Sequence, residues 1–150
     1  MKGFVFRLER LLELRSRAEQ ERAQALGQAM REEDVQRQAL EEASERLGRC
    51  GDQVADVMDN GAPAGALKNL ALAIEAAMRQ VDSAALSHQA ALDQMQLERE
   101  LFGRARVERR VVERLREKRH AAWTEEASRA EQSELDSVAR SRRGASGRSR

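Results

Sequence analysis

The segment Asp59-Asn60-Gly61-Ala62-Pro63-Ala64-Gly65 holds the only proline in the 150-residue chain. Asn-Gly tolerates the left-handed backbone conformation, and proline cannot continue a helix. This is the strongest break in the sequence. On either side lie long proline-free stretches, about 4–58 and about 66–139. As helices they would be rods of about 80 and about 110 Å.

Both stretches carry a heptad seam. In the first, one file runs Leu12, Leu26, Leu40, Leu47, Val54, and its partner runs Leu8, Ala29, Ala43, Cys50, Val57. Arg15, Glu19, Arg22, Glu33 and Gln36 interrupt it. In the second, one file runs Leu67, Ile74, Val81, His88, Met95, Phe102, and the other Ala71, Met78, Ala85, Leu92. A 3.5-residue repeat implies a left-handed supercoil. Acid-first pairs four residues apart support helix: Glu13–Arg17, Glu33–Arg37, Glu42–Arg46, Glu100–Arg104 and Glu125–Arg129.

A seven-residue connection makes an antiparallel hairpin the simplest topology. The expected fold is all-α: a long two-helix antiparallel coiled-coil hairpin, helices 4–58 and 66–139, loop 59–65. If 58 faces 66, facing residue numbers add to about 124. Phe4 then falls near His120, and the second helix runs past the first. The domain is expected to span 1–140, with a disordered Arg/Ser/Gly tail over 141–150.

Composition agrees. The chain is 35% charged and 3% aromatic, the aromatics being Phe4, Phe6, Phe102 and Trp123. Such side chains fill a narrow helix–helix seam, not a thick core. β-branched residues are scarce, with Ile74 and Thr124 each the only one of its kind. The net charge is +1, so no strong global field favours nucleic acid or membrane.

No chemistry-bearing constellation stands out. Cys50, on the seam, reads as small apolar filler and has no recognisable nucleophile partners; as a lone cysteine it fits a reducing compartment. His88 reads as a polar seam residue or a partner contact, and His120 lies among Arg and Lys. No metal-ligand spacing or phosphate loop occurs. The apolar run at the N-terminus is too short for a signal peptide, and no segment approaches a membrane span. The expectation is a cytoplasmic protein that is not an enzyme and has no cofactor.

Three features exceed a plain coiled coil. Leu70, Leu72, Ala73 and Ala76 lie off the expected seam, as an apolar partner surface or as helix filler. Residues 99–119 carry nine basic and four acidic side chains; this is a solvated face, a site for an acidic protein, or a site for nucleic acid. Where the termini meet, Phe4, Phe6, Leu8, Leu11 and Leu12 face Trp123, capping the seam or presented to a partner.

The two ends carry a resemblance. The opening Phe4-x-Phe6-x-Leu8-x-x-Leu11-Leu12-x-Leu14-Arg15 resembles the start of the flagellar FliJ family. Val112-Glu113-x-Leu115-x-Glu117-Lys118, Trp123, Glu125-Glu126, Glu131-Gln132 and Leu135-Asp136 resemble its close, and Asn60-Gly61 fits its hairpin tip. The resemblance implies a cytoplasmic component of the flagellar type III export apparatus, peripherally associated with the inner-membrane export machinery. It implies docking into a hexameric export ATPase as a stalk, contact with the export-gate membrane protein, and service to substrate chaperones. On it, the ATPase-binding end is expected at Phe4, Phe6, Arg7, Leu8, Arg10, Leu11, Trp123, Glu131, Gln132, Leu135 and Asp136. The gate surface is expected at Leu70, Leu72, Ala73 and Ala76. The alternatives are an injectisome stalk protein, a close relative, or a coiled coil binding nucleic acid or an anionic surface. No nucleic-acid partner is expected on the leading reading.

Overall fold

A computed structural model of the chain describes residues 3–146. It has two helices, α1 (Glu9–Asn60) and α2 (Ala64–Ser146), packed antiparallel, and no strand among the described residues. Contacts divide the chain into a unit holding the turn, residues 19–104, and a unit holding both ends, residues up to 18 with those from 105 on.

The turn is tighter than the expected 59–65. Helix continues through Asn60 and resumes at Ala64. Gly61 takes the reversal at φ 70°, the left-handed conformation that a Cβ penalises. Asn60 Nδ2 donates to the Asp56 carbonyl at 2.9 Å. The Pro63 carbonyl accepts from the Ala66 amide at 2.9 Å, so proline opens α2 where its missing N–H costs nothing.

In the turn unit, α1 buries the expected files. Ala29 and Ala43 are buried, and Leu26, Leu40, Leu47, Cys50, Val54 and Val57 are half-buried. On α2, Ile74, Val81, His88, Met95 and Phe102 are half-buried as expected. The second α2 file differs. Leu92 is half-buried as expected, but Ala71, Met78 and Ala85 are exposed, while Leu70, Ala77, Ala84, Ala91 and Glu98 are covered. Both candidate files flank Ile74 and Val81 at heptad spacing, so periodicity alone does not separate them. The alanine-rich flank lets the backbones approach closely, and small side chains at the contact set that distance.

The polar interruptions of the seam find partners across it. His88 Nε2 lies 2.9 Å from Glu33 Oε1, both side chains about one-fifth exposed. Arg22 faces Glu98 at 3.6 Å, and Arg46 Nη1 donates to Gln80 Oε1 at 3.3 Å. The numbers of these facing residues add to between 120 and 126, close to the expected register. Because Glu33 turns into the seam, Arg37 does not take it as a partner and sits between Asp34 and Glu41. The Asp34 hydrogen bond, with that to Glu41, holds the Arg37 guanidinium above its ordinary range.

In the unit of the ends, Ala105 and Arg109 are half-buried and Val112 is buried. Glu9 takes Arg116 Nε at 3.2 Å, and Arg15 pairs with Glu108. Again the numbers add to within one or two of 124. α2 does not stop near 139 but runs to Ser146. The tail expected over 141–150 is therefore helical as far as 146, and 147–150 lie outside the described residues. Local bonds help it continue: Arg140 Nε donates to the Asp136 carbonyl at 3.2 Å, and Ser141 Oγ to that of Val138 at 2.9 Å.

Candidate functional site

The N-terminal segment is not helical from residue 4, as the hydrophobic spacing suggests, but begins α1 only at Glu9. Aromatic and β-branched residues such as Phe4, Val5 and Phe6 gain little from helix. Burying the rings against α2 gains more. The chain turns where the Glu9 amide donates to the Phe6 carbonyl at 3.1 Å. Glu9 then sits in the first turn, where a negative charge suits the helix dipole.

Phe4 meets α2 where the register requires. Its ring lies edge-on to His120, with centroids 5.0 Å apart and planes at 86°. Trp123 stands 6.0 Å from both Phe4 and His120. Such pairs contribute roughly 0.5–1.5 kcal/mol each beyond the area they bury. Beside them is a solvent-open cleft of about 560 Å³, lined by Phe4, Val5, Phe6, Arg7, Leu8, Leu115, Arg119 and Trp123. Its lining is mostly apolar, with Arg7 and Arg119 as its charged residues. Trp123 is the sole tryptophan, so its fluorescence reports this site alone. Phe4→Ala should red-shift Trp123 emission and leave far-ultraviolet helicity unchanged. An unshifted spectrum would mean that the ring contact does not shield the indole.

Of the residues expected at the ATPase end, Phe4, Phe6, Arg7, Leu8 and Trp123 share this cleft. Arg10 and Leu11 are exposed on the first turn of α1. Glu131, Gln132, Leu135 and Asp136 are exposed farther along α2, at least eight residues beyond Trp123, or roughly 12 Å of helix. They do not join the cleft. Every residue from 128 to 141 is exposed, a helical stretch with no cover of its own. Leu115, which stands in the closing motif, and Arg119, which was not singled out, complete the cleft. In the register that pairs Phe4 with His120, Arg119 is the neighbouring residue and Leu115 lies five residues before His120.

The residues expected to meet the gate divide. Leu72 (54% exposed) and Ala76 lie on the outer side of α2. Leu70 is half-buried beside the seam and, with Ala73, Val57 and Ala66, lines a shallow depression close to the turn.

Among the described residues no group of three or more His, Cys, Asp or Glu is placed to hold a metal ion. None of their helices is long and apolar enough to cross a membrane. The sequence profile of the family described as "Flagellar FliJ protein" matches residues 4–148. No curated protein matches the chain, and no solved structure does.

Proposed function

The chain belongs to the flagellar FliJ family and is thus a flagellar export-related protein; from that premise we propose that it serves as the stalk of the export ATPase. In this reading it inserts its two ends into a hexameric ring, promotes ring assembly and raises ATP turnover, and hydrolyses nothing itself. The observation that carries the reading is the joining of residues from both termini. Phe4, Phe6, Arg7, Leu8 and Trp123 surround one cleft, and an uncovered helical stretch with Glu131 and Asp136 follows.

Two helices side by side are about 20 Å across, a width that a hexamer's central channel can accept. A single stalk cannot satisfy six identical subunits equally. Its contacts should then be polar and adaptable, which suits Arg7, Arg10, Glu131 and Asp136, all exposed. The test is direct: adding the purified chain to the purified export ATPase should raise its rate of ATP hydrolysis. An unchanged rate at saturating chain would exclude the stalk role.

The protein would work in the cytoplasm, peripherally associated with the inner-membrane export machinery, meeting the export gate and substrate chaperones as well. For the gate, the outer face of α2 at Leu72 and Ala76 is the proposed surface, with Leu70 and Ala73 on its seam-side margin. Leu72→Asp should leave helicity intact, because Leu72 is off the seam. It should weaken gate binding about tenfold and reduce motility, since burying an unpaired carboxylate at an interface is costly. Normal gate binding by Leu72→Asp would mean that the patch is helix filler.

A further inference from the structure

Four-residue steps divide α2 beyond residue 104 into parallel rows of side chains. Two of these rows face α1. One holds Ala105, Arg109 and Glu113, all half-buried, and continues to Glu117, which borders Phe4 and His120. The other holds Glu108, Val112 and Arg116; Val112 is buried, and the two charged residues pair with Arg15 and Glu9. The remaining two rows lie side by side on the outside. The first is Val107, Val111 and Leu115, the valines each 63% exposed and the leucine 37%. Its neighbour is Arg106, Arg110, Arg114 and Lys118, all exposed. Between them runs a shallow groove of about 400 Å³, lined by the two valines and the three arginines.

Charge is balanced on the inner rows and unbalanced on the outer ones. Arg109 donates to Glu113 at 2.6 Å, and Arg116 Nε lies 3.2 Å from Glu9. Neither outer row contains an acid. None of its four cations forms an ion pair with a described residue. They follow one another at about 6 Å along the helix, and like charges at that spacing disfavour the helix that carries them. A partner that brings carboxylates to this row removes the repulsion.

We propose that the two outer rows bind an acidic amphipathic helix of another protein, one with a carboxylate row beside an aliphatic row. A row at four-residue steps on one helix packs into the groove between two such rows on another. The carboxylates then meet Arg106, Arg110 and Arg114, whose forked guanidinium groups suit them. The aliphatic row covers Val107 and Val111. A nucleic-acid duplex would match the cations but has nothing for the valines, and no aromatic stands in either row to stack a base. A bilayer surface calls for a broader apolar face with Trp or Phe in it. The proposal stands whether or not the chain is a stalk.

The probe is a fluorescein-labelled peptide of repeating Ala-Ala-Glu-Leu, about twenty residues long so that it is helical by itself. Its repeat sets a Glu row beside a Leu row. Fluorescence anisotropy should show it binding the full chain at low salt, and binding should weaken as salt rises. Arg110→Glu with Arg114→Glu should weaken it at least about tenfold. Val107→Ser with Val111→Ser should weaken it about threefold or more, a change that charge attraction alone does not produce. A peptide with Lys in place of Glu should not bind. All four substituted residues are exposed, and circular dichroism checks that the variants keep their helicity. No binding at about 1 mM peptide would overturn the proposal. So would unchanged binding by either double variant, or displacement of the peptide by an equal concentration of DNA duplex or phosphatidylserine vesicles. Sedimentation that shows the chain pairing with itself through Arg110 and Arg114 would overturn it as well.

Discussion

Removing residues 124–150 is expected to abolish stimulation of the export ATPase while the remaining chain still folds and binds the export gate. The cut falls just after Trp123, so the Phe4–His120–Trp123 contacts survive it. Of the described residues it removes, only Ala127 is half-buried and the rest whose exposure is described are exposed. Losing them takes little apolar area from the packed structure. A stalk that acts by touching ring subunits would nonetheless lose Glu131, Gln132, Leu135 and Asp136 together. Turnover should fall to the rate of the ATPase alone. Reversing charge on the other helix, with Arg7→Glu and Arg10→Glu, should act in the same direction, because both side chains are exposed. Steady-state ATP hydrolysis with titrated chain reads both variants. Full stimulation by the truncated protein would rule out this end as the docking site.

The second large effect concerns stability, and its sign depends on whether one partner or two is changed. Glu33 and His88 form an enclosed cross-seam polar pair, each side chain about one-fifth exposed. His88→Leu alone leaves the Glu33 carboxylate without its partner in a site about one-fifth exposed, at a cost of about 1–3 kcal/mol. Changing both to leucine removes that penalty and puts apolar side chains at two seam positions. Full burial of one such side chain contributes about 1.5–3 kcal/mol. At half-burial each, the two together should stabilise the fold by about 1.5–3 kcal/mol, or about 3–12 °C in Tm. The unsubstituted chain should melt below roughly 80 °C, since a third of the α1 seam is polar. Calorimetry on the single and double variants decides the matter: a double variant less stable than the unsubstituted chain would mean the polar pair contributes more than its geometry suggests.

The helices, their antiparallel pairing and even the Phe4–His120 contact were legible in the sequence. One break at Asn60-Gly61 with Pro63 fixes the register, and seven-residue spacing marks the α1 files. The α2 seam was only half legible, because alanines occupy both flanks of the Ile74–Val81–His88 file. Met78 made the exposed flank look more apolar than it is in the packed structure. Close packing favours Ala77 and Ala91, and no pattern of hydrophobicity contains that preference. The start of α1 was misread for a related reason. Phe4, Phe6 and Leu8 have helical spacing, but the gain from laying Phe4 on His120 and Trp123 exceeds that of one more helical turn. Arg37 was matched to Glu33 by local spacing alone, and only the position of His88 across the seam reveals the competition. The cleft was largely visible: its N-terminal side stands in the opening motif and Leu115 and Trp123 in the closing one, whereas Arg119 has no mark of its own.

The three-residue turn at Gly61–Pro63 also sets an order of assembly. Arg46 and Gln80 are 34 residues apart in the chain, Glu33 and His88 55 apart, and Arg15 and Glu108 93 apart. Each cross-seam contact closes a longer loop than the last. Between the first and the third the closure entropy grows by about 1 kcal/mol when each forms alone. Formed in sequence from the turn, each contact inherits a loop already mostly closed, so the chain zips. The ends that carry Phe4 and Trp123 are then the last to meet in folding and the first to part on heating. A partner that grips those ends holds shut the part of the zipper most ready to open.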